Sequence, residues 1–312
     1  MKKDMTTVKG PEGIDIKRFP KFKEGFEAKP WKIQATRSHI LHSKCSQNEE
    51  TCALNPCNFC VYNRELELKH LPDMVFPNNI LSLEHETGAK IEFNALDALK
   101  RVSNGKINIR LPIANEWRES RADCKEFLEE KVKPFDWTFT TDYMGTISGF
   151  HVEETEDRIN FDLLTRRGGI SFYQDLTLYE DEVHDRGVAS LSVKIRVMTD
   201  GLFILLRYFL RIDGSMIRIN DTRIYHHFQT PYILREYTSR ESKIKDLDVP
   251  PGLLIEPSLI ASRVPLKHSV YHKLSIEPKP GEDTTQLLDN QSTNDAAQVE
   301  AMHEDEASNS NT

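Results

Sequence analysis

The 312-residue chain has no P-loop, no dinucleotide-binding glycine pattern after a strand, no HExxH and no GxSxG. The familiar nucleotide-dependent and hydrolytic chemistries therefore leave no signature in it. Lysine and arginine are absent after Lys279, where eight acids follow: Glu282, Asp283, Asp289, Asp295, Glu300, Glu304, Asp305 and Glu306. Taking these eight from the 49 acids leaves 41 against 41 bases, so the net charge of −8 belongs to that segment. A neutral body offers no basic field for phosphate backbones, which argues against a nucleic-acid partner. Long apolar runs are missing too. The most apolar stretch, GLFILLRYFLRI (201–212), is too short to span a bilayer and carries Arg207. The N-terminus is rich in Lys, Gly and Pro and lacks the apolar run of a signal peptide. These absences imply a soluble cytosolic or nuclear protein with no membrane partner.

Hydrophobic residues make up 38%, low enough that part of the chain is expected not to fold. The boundaries that follow are a flexible segment at 1–28, a domain at 29–275 with a Cys-rich loop at 43–68, and a disordered acidic tail at 276–312. Within the domain, Ala189, Leu191, Val193, Ile195 and Val197 alternate with polar residues, a period of two that puts one set against a core. The next run places Leu202, Ile204, Leu206, Tyr208, Leu210 and Ile212 on one face. Phe203, Leu205 and Phe209 share the other with Arg207 and Arg211, so that strand is covered on both sides. TDG (199–201) and DGS (213–215) carry hairpin-turn chemistry, and MIRINDTRIYHHF follows as a third strand. An antiparallel meander is predicted, in an α+β domain with a few flanking helices.

LYEDEVHDRG (178–187) packs four acids and a histidine into six positions, the ingredients of a metal or acid/base site. Neighbours along a strand point to opposite faces, so the acids do not converge. The segment reads as a strand end and turn, with Gly187 free to take positive φ; a metal-dependent hydrolase is the weaker alternative. Asn94 caps a short helix with Asp97 three residues on. A longer helix is predicted across ANEWRESRADCKEFLEEKV, with Trp117, Arg121, Cys124 and Leu128 on one face. KPFDWTFTTDYMGT has strand chemistry and buried aromatics, ending in a turn at Gly145.

Cys45, Cys52, Cys57 and Cys60 lie within sixteen residues. The C-x2-C pair is half of a zinc site, whereas C-x6-C is not a familiar knuckle. Cys52, Cys57 and Cys60 also match part of a plant-type iron–sulfur ligand set. The spacing favours free thiols in a surface loop over zinc, and zinc over a cluster. No cofactor is expected; a zinc-stabilised interaction scaffold stands as the alternative function.

NALDAL, EWRESR, DWTFTTDYMGT, EDEVHDRGVASLSVKIRVM, RYFLRIDG, IRINDTRIYH and LREYTSRESKI occur here in the order found in the TOR signalling pathway regulator-like (TIPRL) family. The resemblance runs from about Pro30 to Ser269. It implies a single antiparallel α+β domain without catalytic activity. Such a protein binds and restrains the catalytic subunits of type 2A-like serine/threonine protein phosphatases in TOR signalling, with a groove for their C-terminal tail. The resemblance carries partner-binding roles onto Asp97, Asp221, Ile219 and Ile159, with Asp221 and Asp97 as exposed acids that orient a group on the partner. The residues themselves suggest a second role for Asp221, an intramolecular ion pair with Arg218 or Arg223. The cysteines and the acidic tail lie outside the resemblance. The tail is expected either to modulate docking through charge or to be inert.

Overall fold

The computed structural model describes residues 7–9, 15–17, 22–45, 52, 54, 56–66, 68, 70–102, 137–165 and 169–276. The expected helix around Trp117 and the acidic tail lie outside the described residues.

Strands β1 (Thr7–Lys9) and β2 (Asp15–Lys17) pair with each other. A five-stranded sheet begins with β3 (Phe22–Ala28) and β4 (Trp31–Arg37). Helix α1 (Asn58–Glu65) and the two-residue β5 (Met74–Val75) follow. Then β6 (Ile80–His85), β7 (Lys90–Phe93), helix α2 (Ala95–Leu99) and β8 (Thr146–Ser148) complete the order β3-β4-β6-β7-β8. β3 falls inside the segment expected to be flexible; its seven residues all pair with β4.

The larger sheet has eight strands. β9 (Phe150–Glu154) and the short α3 (Phe161–Thr165) lead to β10 (Phe172–Asp181), β11 (Gly187–Val197) and β12 (Gly201–Ile212). β13 (Met216–His227), β14 (Tyr232–Lys243), α4 (Pro257–Ile260) and β15 (Leu266–Ile276) follow. The order is β5-β10-β11-β12-β13-β14-β15-β9, antiparallel throughout. The α+β class and the meander are thus as the alternation predicts.

The inner face of the large sheet holds the main core. Every alternating residue named for β11 and β12, from Ala189 to Ile212, is buried there together with Trp31, Ile33, Leu81, Leu83 and Ile91 of the smaller sheet. Polar links cross this interface too: at its rim Arg37 Nη2 donates to Gln174 Oε1 at 3.0 Å and Gln174 Nε2 to Glu24 Oε2 at 2.5 Å, and another lies buried. Trp31 Nε1 donates to His226 Nδ1 at 2.7 Å, so Nε2 carries the ring proton and donates to the Thr230 carbonyl at 2.9 Å. Burial pulls the His226 pKa down to about 4, with the like charges of His85 and His227 acting in the same direction.

The aromatic segment before β8 departs from expectation. Trp137, Phe139 and Tyr143 are buried as foreseen, Phe139 completely, but residues 137–145 form no strand. Their carbonyls are taken by side chains instead of a ladder: Tyr208 Oη donates to Thr138 O, Tyr179 Oη to Phe139 O and Asn220 Nδ2 to Thr141 O. Backbone polar groups in a core need partners, and here side chains from the large sheet supply them.

Candidate functional site

The acid and histidine cluster at 178–187 resolves into structural roles. β10 ends at Asp181, and Val183, His184 and Asp185 then take left-handed φ values of 51°, 57° and 59°. Three successive non-glycine residues in that region are costly and need local support. Asp181 supplies it, accepting from Val183 N at 2.7 Å and from Asp73 N at 3.2 Å, while Val183 is fully buried. Desolvation raises the Asp181 pKa. Gly187 matters for space more than for sign of φ: a Cβ there would lie 1.9 Å from the Arg211 carbonyl oxygen. Among the described residues these acids do not bring ligand atoms together about a point, whereas the sulfurs of four cysteines do.

Those cysteines depart from the loose surface loop that the spacing suggested. The Cys52 and Cys57 sulfurs are 3.8 Å apart, those of Cys57 and Cys45 3.7 Å, and all four lie within 4.8 Å of one another without a disulfide. Contact with Cys52 and then Cys45 pushes the Cys60 thiol up to about 12.

The four residues that the resemblance singled out fall into two places. Ile159, Ile219 and Asp221 are brought to the outer face of the large sheet, whereas Asp97 lies on the inner side. Asp221 is in the middle of β13, opposite Arg207 on β12. Arg207 grips it with two bonds, Nε to Oδ1 and Nη2 to Oδ2, each 2.7 Å, and Arg223 adds Nη2 to Oδ2 at 3.0 Å. The carboxylate is only 1% exposed, so Asp221 is not the exposed acid that was expected, because the two guanidiniums enclose it. The ion-pair role read from the sequence is present with Arg223, and Arg207, which was not foreseen, adds the two-pronged grip. Arg218 is three residues away along an alternating strand, points to the other face and pairs with Glu241.

Two cations share the Asp221 carboxylate, and a second carboxylate, Glu236, stands across from Arg223 on β14. Arg207 is further anchored by Ser258 on the α4 segment at 2.9 Å, and Arg223, 20% exposed, lies against the Phe161 ring. Ile219 is fully buried beneath Ile260 and Val264 of that same segment, in a second, smaller core with Phe209 and Ile217. Ile159 is also buried. Its backbone N–H donates to Glu236 Oε1 at 2.7 Å, and Glu236 pairs in register with Arg223. The segment at 244–264 therefore covers one half of the outer face. The other half presents Phe203 and Leu205, half-buried, and Tyr173, 50% exposed.

Asp97 follows the capping expectation. Its N–H donates to Asn94 Oδ1 at 2.8 Å, and its Oδ2 accepts from Asn94 Nδ2 at 2.9 Å and Thr146 Oγ1 at 2.5 Å. It remains half-buried, reachable at the end of the smaller sheet. Thr141 ties α2 to the inner face of β13, its hydroxyl donating to Ala98 O while its carbonyl accepts from Asn220.

Sequence reasoning found Arg223 but missed Arg207 as a partner of Asp221. The signal was available: Arg207 and Asp221 stand seven residues either side of Gly214 in the β12–β13 turn.

Comparison with known proteins places these features in context. Residues 74–248 match the family model described as TIP41-like family. The chain is 44% identical over 287 residues to the TIP41-like protein of Mus musculus, covering 89% of this chain and 98% of the relative. It is 46% identical over 262 residues to that of Homo sapiens, covering 81% and 91%. It is also 36% identical over 202 residues to a Saccharomyces cerevisiae protein named type 2A phosphatase activator TIP41, covering 59% and 57%.

Proposed function

The chain belongs to the TIP41-like family, and from that premise we propose that it is a non-catalytic regulator that binds the catalytic subunits of type 2A-like serine/threonine protein phosphatases. The observation that carries this reading is the family match, two yeast members of which are named type 2A phosphatase activators. In this reading the phosphatase's C-terminal tail lies on the open half of the outer face. Arg223, with Arg207 behind it, suits the terminal carboxylate of such a tail, because guanidinium and carboxylate pair with complementary geometry. Tyr173, Phe203, Leu205 and Phe161 supply apolar contact beside it. Asp97, on the other side of the sheet, meets a second part of the subunit as a half-buried acid that sets orientation more than affinity. The protein works in the cytosol, within TOR signalling, and restrains the subunit it holds.

Calorimetric titration of a purified type 2A catalytic subunit, full-length and lacking its tail, tests the reading. The expected result is a 1:1 complex weakened by tail removal, by Arg223→Ala and by Asp97→Leu, with phosphopeptide turnover falling as the complex forms. Absence of binding overturns the partner. Binding accompanied by faster turnover, the sign in the yeast name, overturns restraint and leaves the partner in place. Affinity indifferent to the tail moves the interface off the outer face.

A further inference from the structure

The gathered thiols have no part in phosphatase binding as derived above, and they precede the family match, which begins at Met74. We propose that Cys45, Cys52, Cys57 and Cys60 form a structural zinc centre, held by four thiolates, in the connection between β4 and α1.

Geometry carries the argument. Zinc–sulfur bonds of about 2.3 Å in a tetrahedron put neighbouring sulfurs about 3.8 Å apart. The sulfur separations here are 3.7 and 3.8 Å, with all four inside 4.8 Å. A disulfide needs sulfurs at about 2.05 Å, so these spacings are those of co-ligands and not of oxidised pairs. The backbone supports the same assignment. Cys57 N donates to Cys52 Sγ at 3.4 Å, a bond that favours the thiolate of its neighbour. Cys57 also stands at the N-cap of the eight-residue α1 without capping it through its side chain, and Cys60 lies in the first turn.

The ligand set decides the metal class. Four soft sulfur donors select zinc over magnesium, calcium or manganese, and a fully occupied tetrahedron leaves no open position for catalysis. The role that remains is mechanical. α1 buries Tyr62 against the main core, and Glu65 at its end pairs with Lys100 Nζ at 2.5 Å, just beyond α2. A metal at its start fastens this helix from the other end. The centre is an addition to the phosphatase-binding domain and does not replace its function.

The test is elemental analysis of the full-length protein purified without added metal or chelator, alongside Cys57→Ser and Cys124→Ser. The expected result is about one zinc per chain in the wild type and in Cys124→Ser, and none in Cys57→Ser. Because the serine variant can also fail by misfolding, the wild type is separately alkylated under native conditions and mapped by mass spectrometry. Bound zinc protects all four cysteines, and stripping it with a chelator exposes them together. Cobalt exchanged into the stripped protein then shows the absorption of a tetrahedral thiolate complex. Zinc retained by Cys57→Ser overturns the proposal. So do iron with acid-labile sulfide, two disulfides, or four cysteines that alkylate equally with and without zinc.

Discussion

The two faces of the eight-stranded sheet solve the same problem differently. The inner face packs against the smaller sheet and the irregular segment at 137–145; it is mainly apolar with neutral bonded groups such as Trp31, His226 and Asn220, and it carries charge toward β14, at the Arg218–Glu241 pair and Arg235. The outer face is covered only in part. It keeps its middle charged, with Asp221 sealed beneath two arginines and an apolar half left reachable. One face has been specialised for holding the fold together, and the other keeps a charge system whose desolvation is costly without strong pairing. That cost is the reason to look for function on the outer face.

Substitutions can break this contrast, and the largest effect is expected at the charge itself. Arg207→Ala leaves Asp221 buried with one weaker partner and should destabilise the protein by about 4 kcal/mol in urea unfolding, as for other broken buried pairs. Ile204→Ala on the inner face removes a completely buried side chain, and a loss of about 3 kcal/mol is expected. Its neighbour Leu205→Ala points outward and should cost less than about 1 kcal/mol, while weakening phosphatase binding in calorimetry. Equal losses for the two would erase the distinction between the faces.

Acid sharpens the comparison. The folded pKa of His226 lies near 4, below the ordinary value of 6.5 in the unfolded chain, so unfolding takes up a proton between those limits. Stability is therefore flat with respect to this group above pH 6.5 and declines as pH falls toward 4, by about 3 kcal/mol over the whole interval. His226→Gln should flatten that part of the profile in thermal melts taken at a series of pH values. The smallest effect belongs to the outer surface. The Lys194–Asp175 pair at 2.9 Å joins two side chains that are each about two-fifths exposed, and Asp175→Asn should change stability by no more than about 0.5 kcal/mol.

The inner face was the more legible of the two in the sequence. Alternation of period two from Ala189 to Ile212 specified strands, facing and core together, because burial on one side of a pleated strand leaves that trace. The Asn94 cap was visible for a similar reason, since its bonds are local. The outer face was harder to read. Arg207 and Asp221 meet only once the hairpin register is known, and the nearer Arg218 was a plausible partner until facing was considered. Residues 137–145 carry strand-forming side chains, yet their backbone bonds go to Tyr179, Tyr208 and Asn220, far away in the chain. The cysteine spacing matched no familiar motif because the sulfurs converge through the local path of residues 45–60, and no count of intervening residues records that path.

The strand order has one more consequence. Six strands of ten to twelve residues occupy the interior of the large sheet, while its margins are the two-residue β5 and the five-residue β9, with Glu153 and Glu154 in the latter. So short a margin at one end, and a short acidic one at the other, gives an extended chain little backbone to zip onto. β5 reaches only Tyr179 and Glu180 of β10, however, and β9 only His272–Ile276 of β15, so among the described residues the rest of each long neighbour's edge has no strand beside it. An extended chain would find backbone to pair with only along those stretches; elsewhere on this sheet it meets side chains standing on a face.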